Sequence, residues 1–195
     1  LENSVPKLWV NQKSLLYLKK VKMQLGELEK FKYWPFKFFY KVNINISKEE
    51  KEQIKLFLNN FENSVDIDQT TTYKKVNVLN LPLLKNLRNE VIKVIDPLNL
   101  VLDNNWAQLY RKADLHVPHA HYGSEYSGVI YIDGDTKEGT NFISPVDSQV
   151  YTANFNLNDL ILFPSHILHY VNFQKDNTNR TIISFNTKLG GKNAR

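Results

Sequence analysis

An α+β fold, with helices first and a β-sandwich or barrel core behind them, is what the order of patterns along this chain predicts. Three observations carry it. The helical periodicities all lie before about residue 100, and short β-rich runs succeed one another after it. Turn signals such as Asp133-Gly134-Asp135 and Lys175-Asp176-Asn177 separate those runs. The length of 195 residues suits one domain with a good-sized core and an additional N-terminal element.

Taken in order, residues 12–30 scatter Leu, Val and Met among Lys and Glu, a pattern compatible with a helix. Trp34-Pro35 interrupts it, because a residue before proline avoids the α region. Residues 1–35 therefore read as a helical N-terminal extension and 36–195 as the main domain. Residues 36–46 read as a strand, with Phe38, Tyr40, Val42, Ile44 and Ile46 at period two. Ser47 and Glu50 then form a capping box, and Ile54, Phe57, Leu58 and Phe61 make one apolar helical face behind it. A second helix starts near Pro82, carries Leu84, Leu87, Val91 and Ile95, and stops at Asp96-Pro97. Strands are expected over 106–111, 126–132, 140–144, 150–155, 160–163, 168–173 and 181–188.

Composition excludes several classes. Hydrophobic residues make up 42% and charged residues 23%, a globular rather than a disordered balance. No run approaches the roughly 20 apolar residues that cross a bilayer, so a soluble protein is expected. The start at Leu1-Glu2-Asn3 suggests a fragment or a processed product. With no cysteine, a metal site here must be built from histidine and carboxylate, which favours Fe, Mn or Zn. The net charge is +5, with much of the excess early, at Lys7, Lys13, Lys19, Lys20 and Lys22 among others. Nucleic acid is compatible with that charge, yet no nucleic-acid motif accompanies it, and a solvated Lys-rich surface is the simpler reading.

The chemistry gathers in five histidines: His116, His119, His121, His166 and His169. Residues i and i+2 of a strand face the same way, so His119 and His121 can reach one ion at roughly 2.1 Å. His169 lies on a later run that a β-fold can bring alongside as a third ligand. His116 and His166 read as neighbours of the site or as surface groups. Arg180 opens the run 180–186, whose alternation puts Arg180, Ile182, Ser184 and Asn186 on one face. A guanidinium facing the interior needs an anion: the distal carboxylate of a dicarboxylate suits its fork, and a protein carboxylate is the plainer partner.

The segment His119-Ala120-His121-Tyr122-Gly123-Ser124-Glu125-Tyr126-Ser127-Gly128-Val129-Ile130-Tyr131 resembles the H-x-H…S-G-V-x-Y signature of a 2-oxoglutarate/Fe(II) oxygenase family common in phages and marine bacteria. Residues 139–145 resemble its next strand. Phe163-Pro164-Ser165 through His169, and then Arg180 through Asn186, resemble its F-P-S…H…R…S-F-N ending. The likeness runs from about Trp106 to Lys188.

That resemblance implies a double-stranded β-helix (jelly-roll) core with the helices packed outside, binding Fe(II) and 2-oxoglutarate. It makes His119 and His169 metal ligands and Arg180 the cosubstrate anchor, with Tyr110, Tyr131, Ser184 and Asn186 as further contacts. The wider superfamily carries Asp or Glu two residues after the first histidine, where this chain has His121. Either the site is three-histidine or a carboxylate such as Glu125 or Asp114 joins it. The implied reaction is a hydroxylase-type oxidation that uses O2 and turns 2-oxoglutarate into succinate; the primary substrate and the oligomeric state stay open. Two rivals use the same residues. A cupin would hold metal with His119, His121, Glu125 and His169 and need no 2-oxoglutarate, and a non-enzymatic phage structural or binding module would keep the metal as a staple or lack it.

Overall fold

Helix α1 (Lys48–Asn60) begins where the sequence says it must: the Ser47 hydroxyl accepts from the Glu50 N–H at 3.1 Å, and the Glu50 carboxylate accepts from the Ser47 N–H at 3.2 Å. The other Glu50 oxygen accepts from the Leu87 N–H at 2.9 Å, which ties α1 to the first turn of α2 (Lys85–Ile95). Pro82 opens a 3-10 turn leading into α2, and a second such turn over Asp96–Leu98 ends it, with Asn99 left-handed. In this computed structural model the described residues are 29–31, 39–61, 65–66, 69–135, 139–174 and 179–191.

Twelve strands are present among those residues: β1 (Glu29–Phe31), β2 (Phe39–Asn43), β3 (Val65–Asp66), β4 (Gln69–Thr71), β5 (Leu100–Tyr110), β6 (His116–His119), β7 (Tyr126–Asp133), β8 (Asn141–Ile143), β9 (Val150–Thr152), β10 (Asp159–Pro164), β11 (His169–Val171) and β12 (Arg180–Leu189). They form two antiparallel sheets. The larger runs β1-β2-β10-β7-β12-β5-β4-β3 and the smaller β6-β11-β8-β9. The long β5–β12 ladder, which sets Arg180 opposite Tyr110 and Ser184 opposite Trp106, is the spine of the larger sheet.

Alternation along the central strands sorts the core into two layers. Ala107, Leu109, Ile130, Ile132, Leu160, Leu162 and Ile183 face α1 and α2, meeting Ile54, Leu58, Leu87 and Val91. Tyr110, Val129, Tyr131, Ile161, Phe163 and Ile182 face the other way, meeting Phe142, Ile167 and Val171 of the smaller-sheet side. Helices thus cover one face of the larger sheet, and the other face closes over the interior that holds the histidines.

Three expectations need correction. The helix read over 12–30 lies mostly outside the described residues, but its end, Glu29–Phe31, is an edge strand on β2 rather than helix. Trp34-Pro35 and the start of the 36–46 run also lie outside them; the strand ends at Asn43 rather than Ile46, although Ile44 and Ile46 continue its buried alternation. Finally, β6 ends at His119, so His121 is not on the strand with it. No helix among the described residues is long and apolar enough to cross a membrane.

Candidate metal centre

β6 pairs with β11 so that His119 stands directly opposite His169. His121 follows in a turn whose backbone is pinned by its N–H donating to the Ser165 carbonyl at 2.8 Å. One ring nitrogen each of His119, His121 and His169 comes within 4.8 Å of the others, close enough to share a metal ion, and no carboxylate joins the group among the described residues. Cross-strand register and a pinned loop therefore do the work that i, i+2 spacing on one strand was expected to do.

The tautomers follow from the hydrogen bonds. His119 Nδ1 lies 2.8 Å from the Val117 carbonyl and His169 Nδ1 2.9 Å from the Ile167 carbonyl. A carbonyl can only accept, so each Nδ1 carries its proton and each Nε2 keeps a lone pair for an ion. Burial holds all three rings neutral. It pushes His121 down to about 4, with His119 nearby adding to the effect, and lowers His119 and, much further, His169. Three neutral imidazoles aimed at one point are a donor set for Fe, Zn, Ni or Cu.

His116 stacks on His119 with ring centroids 4.0 Å apart and is held down at about 3, burial first and the neighbouring histidines second. Its Nδ1 lies 3.3 Å from the Tyr110 hydroxyl and 3.4 Å from Gln108 Nε2. Ser184 Oγ donates to Gln108 Oε1 at 3.0 Å, so a polar chain runs from β12 through β5 to the histidines. Tyr110 and Ser184 share the pocket wall with His119, His121 and His169.

Arg180 and Tyr131 stand behind that wall. The Arg180 side chain is 1% exposed and its guanidinium lies over the Tyr110 ring, 4.5 Å from the centroid. Its charge reaches both tyrosines, yet burial outweighs it and raises both phenols above their ordinary value, Tyr110 strongly. The Tyr131 hydroxyl bonds Thr140 Oγ1 at 2.8 Å. Gly134, at φ +121°, packs so close that a Cβ there would meet the Arg180 Cα at 2.8 Å; only glycine fits both the conformation and the space.

Other expected residues are placed elsewhere. The Asn186 amide is engaged at both ends, accepting from Ser127 Oγ at 2.7 Å and donating to Asn104 Oδ1 at 2.9 Å, so it stitches β7, β12 and β5 together. The Asp114 carboxylate accepts from the Arg111 N–H at 2.7 Å within its own turn, and Glu125 lies outside the histidine group. His166 is exposed on the turn before β11. Gln108 and Trp106 escaped the sequence reading. The signal was available, since Trp106, Gln108 and Tyr110 alternate on one strand and a glutamine at a buried position needs partners.

No family model and no curated protein matches the sequence. Solved structures do match in fold. The non-heme alpha-ketoglutarate-dependent epimerase SnoN from nogalamycin biosynthesis aligns at TM-score 0.62 and 10% identity, over 91% of this chain and 82% of that one. HygX from Streptomyces hygroscopicus, solved with nickel and 2-oxoglutarate bound, aligns at TM-score 0.58 and 9% identity, over 92% and 87%. The viral collagen prolyl hydroxylase vCPH from Paramecium Bursaria Chlorella virus-1, a 2-oxoglutarate complex, aligns at TM-score 0.57 and 8% identity, over 79% and 97%. Two antiparallel sheets enclosing a histidine cluster thus give this chain the fold of the 2-oxoglutarate/Fe(II) oxygenase-type structures.

Proposed function

We propose that the chain is an Fe(II)/2-oxoglutarate-dependent oxygenase on a double-stranded β-helix, with His119, His121 and His169 as metal ligands. Arg180 anchors the distal carboxylate of the cosubstrate. The observation that carries this reading is the pairing of two features in one interior. Three neutral imidazoles converge, two of them with their tautomers set, and a buried guanidinium lies behind the Tyr110 ring that borders them. The planar guanidinium fork suits a carboxylate.

With iron and 2-oxoglutarate bound, the site supplies the oxidation of a substrate C–H to C–OH, consuming O2 and releasing succinate and CO2. The chain's own part is placement. His119 and His169 are aimed by their Nδ1–H bonds to backbone carbonyls, and His121 is held by the Ser165 contact. Tyr110 and Tyr131, protonated throughout the ordinary pH range, offer hydroxyl donors rather than negative charge beside an anionic cosubstrate. With imidazole in place of the superfamily's carboxylate, the centre is one charge more positive. The dianionic cosubstrate then contributes more to neutralising it.

The cupin reading needs Glu125 among the ligands, and Glu125 lies outside the histidine group. The test is anaerobic titration with Fe(II) and 2-oxoglutarate, watching for the visible charge-transfer band of the chelate. The band should form in the wild type and vanish in His119→Ala together with iron binding. In Arg180→Ala iron should still bind, while 2-oxoglutarate affinity falls about 100-fold, the scale of a lost bidentate charge pair. Tight iron binding with no band, indifferent to Arg180→Ala, would overturn the oxygenase in favour of a cupin-type centre. Absence of metal binding would leave a structural module.

A further inference from the structure

The turn between β10 and β11 reaches two of the three clustered histidines. On one side the Ile167 carbonyl accepts from His169 Nδ1 at 2.9 Å, and the Phe163 ring meets the His169 ring edge-on with centroids 4.8 Å apart. On the other, Ser165 takes hold of the loop that carries His121. Its carbonyl accepts from the His121 N–H at 2.8 Å, its hydroxyl donates to the Ser124 carbonyl, and its N–H donates to the Glu125 carbonyl at 3.3 Å. The turn is itself tied down. The Ile167 N–H donates to the Pro164 carbonyl at 3.0 Å, and the Leu168 carbonyl accepts from the Ile143 N–H of β8 at 2.9 Å.

His119 and His169 are held by the register of two paired strands. His121, past the end of β6, has no such ladder, so its place depends on the loop. That loop is short and closed: the Ser124 N–H returns to the His121 carbonyl at 3.3 Å, and Gly123 sits between them at φ +92°. A Cβ on Gly123 would meet nothing within 4 Å, so glycine is needed there for conformation and not for space. Ser165 is 2% exposed, and water offers no ready substitute for the bond its hydroxyl makes.

We infer that Ser165 is a positioning residue of the metal centre, acting through His121: its hydroxyl clamps the closed turn from His121 to Ser124 and so fixes the third imidazole. The Phe163-Pro164-Ser165 run thereby gains a task at the site, with Phe163 against His169 and Ser165 behind His121. The inference rests on the proposed function only in taking His121 as a ligand. It does not depend on 2-oxoglutarate.

Co(II) alone is the probe, its affinity for the full chain measured by competition with a chelator and its coordination by the visible d–d spectrum. Ser165→Ala should weaken Co(II) about 10–100-fold, the scale on which a ligand's supporting partner acts, and should move the spectrum at saturation towards that of His121→Ala. In the His121→Ala background the same substitution should cost no more than about twofold, because it acts only through that ring. Gly123→Ala strains the same turn by its backbone alone and, judged by the same cycle, decides the matter if Ser165→Ala does not fold. Thr187→Val is the control. It breaks buried bonds to the Tyr126 N–H and carbonyl, at 3.1 and 2.9 Å, just beyond the loop, and should leave Co(II) affinity within about twofold. Unchanged affinity in Ser165→Ala, an equal loss with and without His121, or an equal loss in Thr187→Val would overturn the proposal. So would a wild type that binds no Co(II), or one whose affinity is indifferent to His121→Ala. Iron binding without the 2-oxoglutarate band would instead count against the oxygenase alone, and the Co(II) cycle would still judge Ser165.

Discussion

In the proposed metal centre, His119 and His169 are each aimed by the ring nitrogen turned away from the cluster. Nδ1 of His119 and of His169 donates to the carbonyl two residues earlier, so the same local geometry is used twice, once on each of two facing strands. The neutrality of these rings has a consequence for stability. Their folded-state proton affinities, and that of His116, lie below the ordinary histidine value near 6.5, so below that pH the unfolded chain binds more protons than the folded one. Stability of the chelator-treated protein should therefore be flat above about pH 6.5 and fall as pH drops towards 4 and then 3. Urea midpoints measured from pH 7.5 to 4.5 check this, and the decline should shrink in His116→Gln, which removes one of the titrating rings.

At the scale of elements, the junction between α1 and α2 depends on one buried carboxylate. Glu50, 5% exposed, closes the capping box with one oxygen and accepts from the Leu87 N–H with the other. Glu50→Ala removes the cap and strands a buried backbone donor, which should cost about 2–4 kcal/mol. Glu49→Ala, one position away and exposed, should cost under about 1 kcal/mol. Paired denaturant curves with unchanged slopes would separate the two. The capping box and the two apolar helical faces were legible in the sequence because helix periodicity and cap chemistry are local. The short strands β3, β4 and β6 were not, because two to four residues give no period to read and their existence depends on the partner that pairs with them.

For the molecule as a whole, the site is where the two sheets are joined. His119 and His169 come from the smaller sheet, Tyr110 and Arg180 from the larger, and His121 from the loop between β6 and β7. A ligand bridging them binds the folded state alone. Ni(II), as an oxygen-stable stand-in for iron, together with 2-oxoglutarate at 100 times its dissociation constant, should therefore add about 2.7 kcal/mol. For a chain of this size that raises the melting temperature by roughly 5–10 °C. Differential scanning fluorimetry checks it, and with a 100-fold weaker affinity in Arg180→Ala the increment from 2-oxoglutarate should shrink to about 0.4 kcal/mol while that from the metal persists.

Residue type and local spacing determined a good deal by themselves: the α-then-β order, the helical faces, the histidine supply with no cysteine to compete, and the alternation that sends Arg180 and Ser184 to the interior. Tertiary structure alone decided the rest. Which histidines meet is a matter of the β6–β11 register and of the Ser165 contact that holds His121 off the strand. That Asn186 spends its amide on Ser127 and Asn104, that Asp114 caps its own turn, and that Gln108 links Ser184 to His116 all depend on partners 59, 82, 3, 76 and 8 positions away in the chain. Periodicity reports which way a side chain points relative to its own strand. It carries no information about what stands opposite, because that is set by long-range pairing, and pairing is fixed only when the whole apolar interior closes.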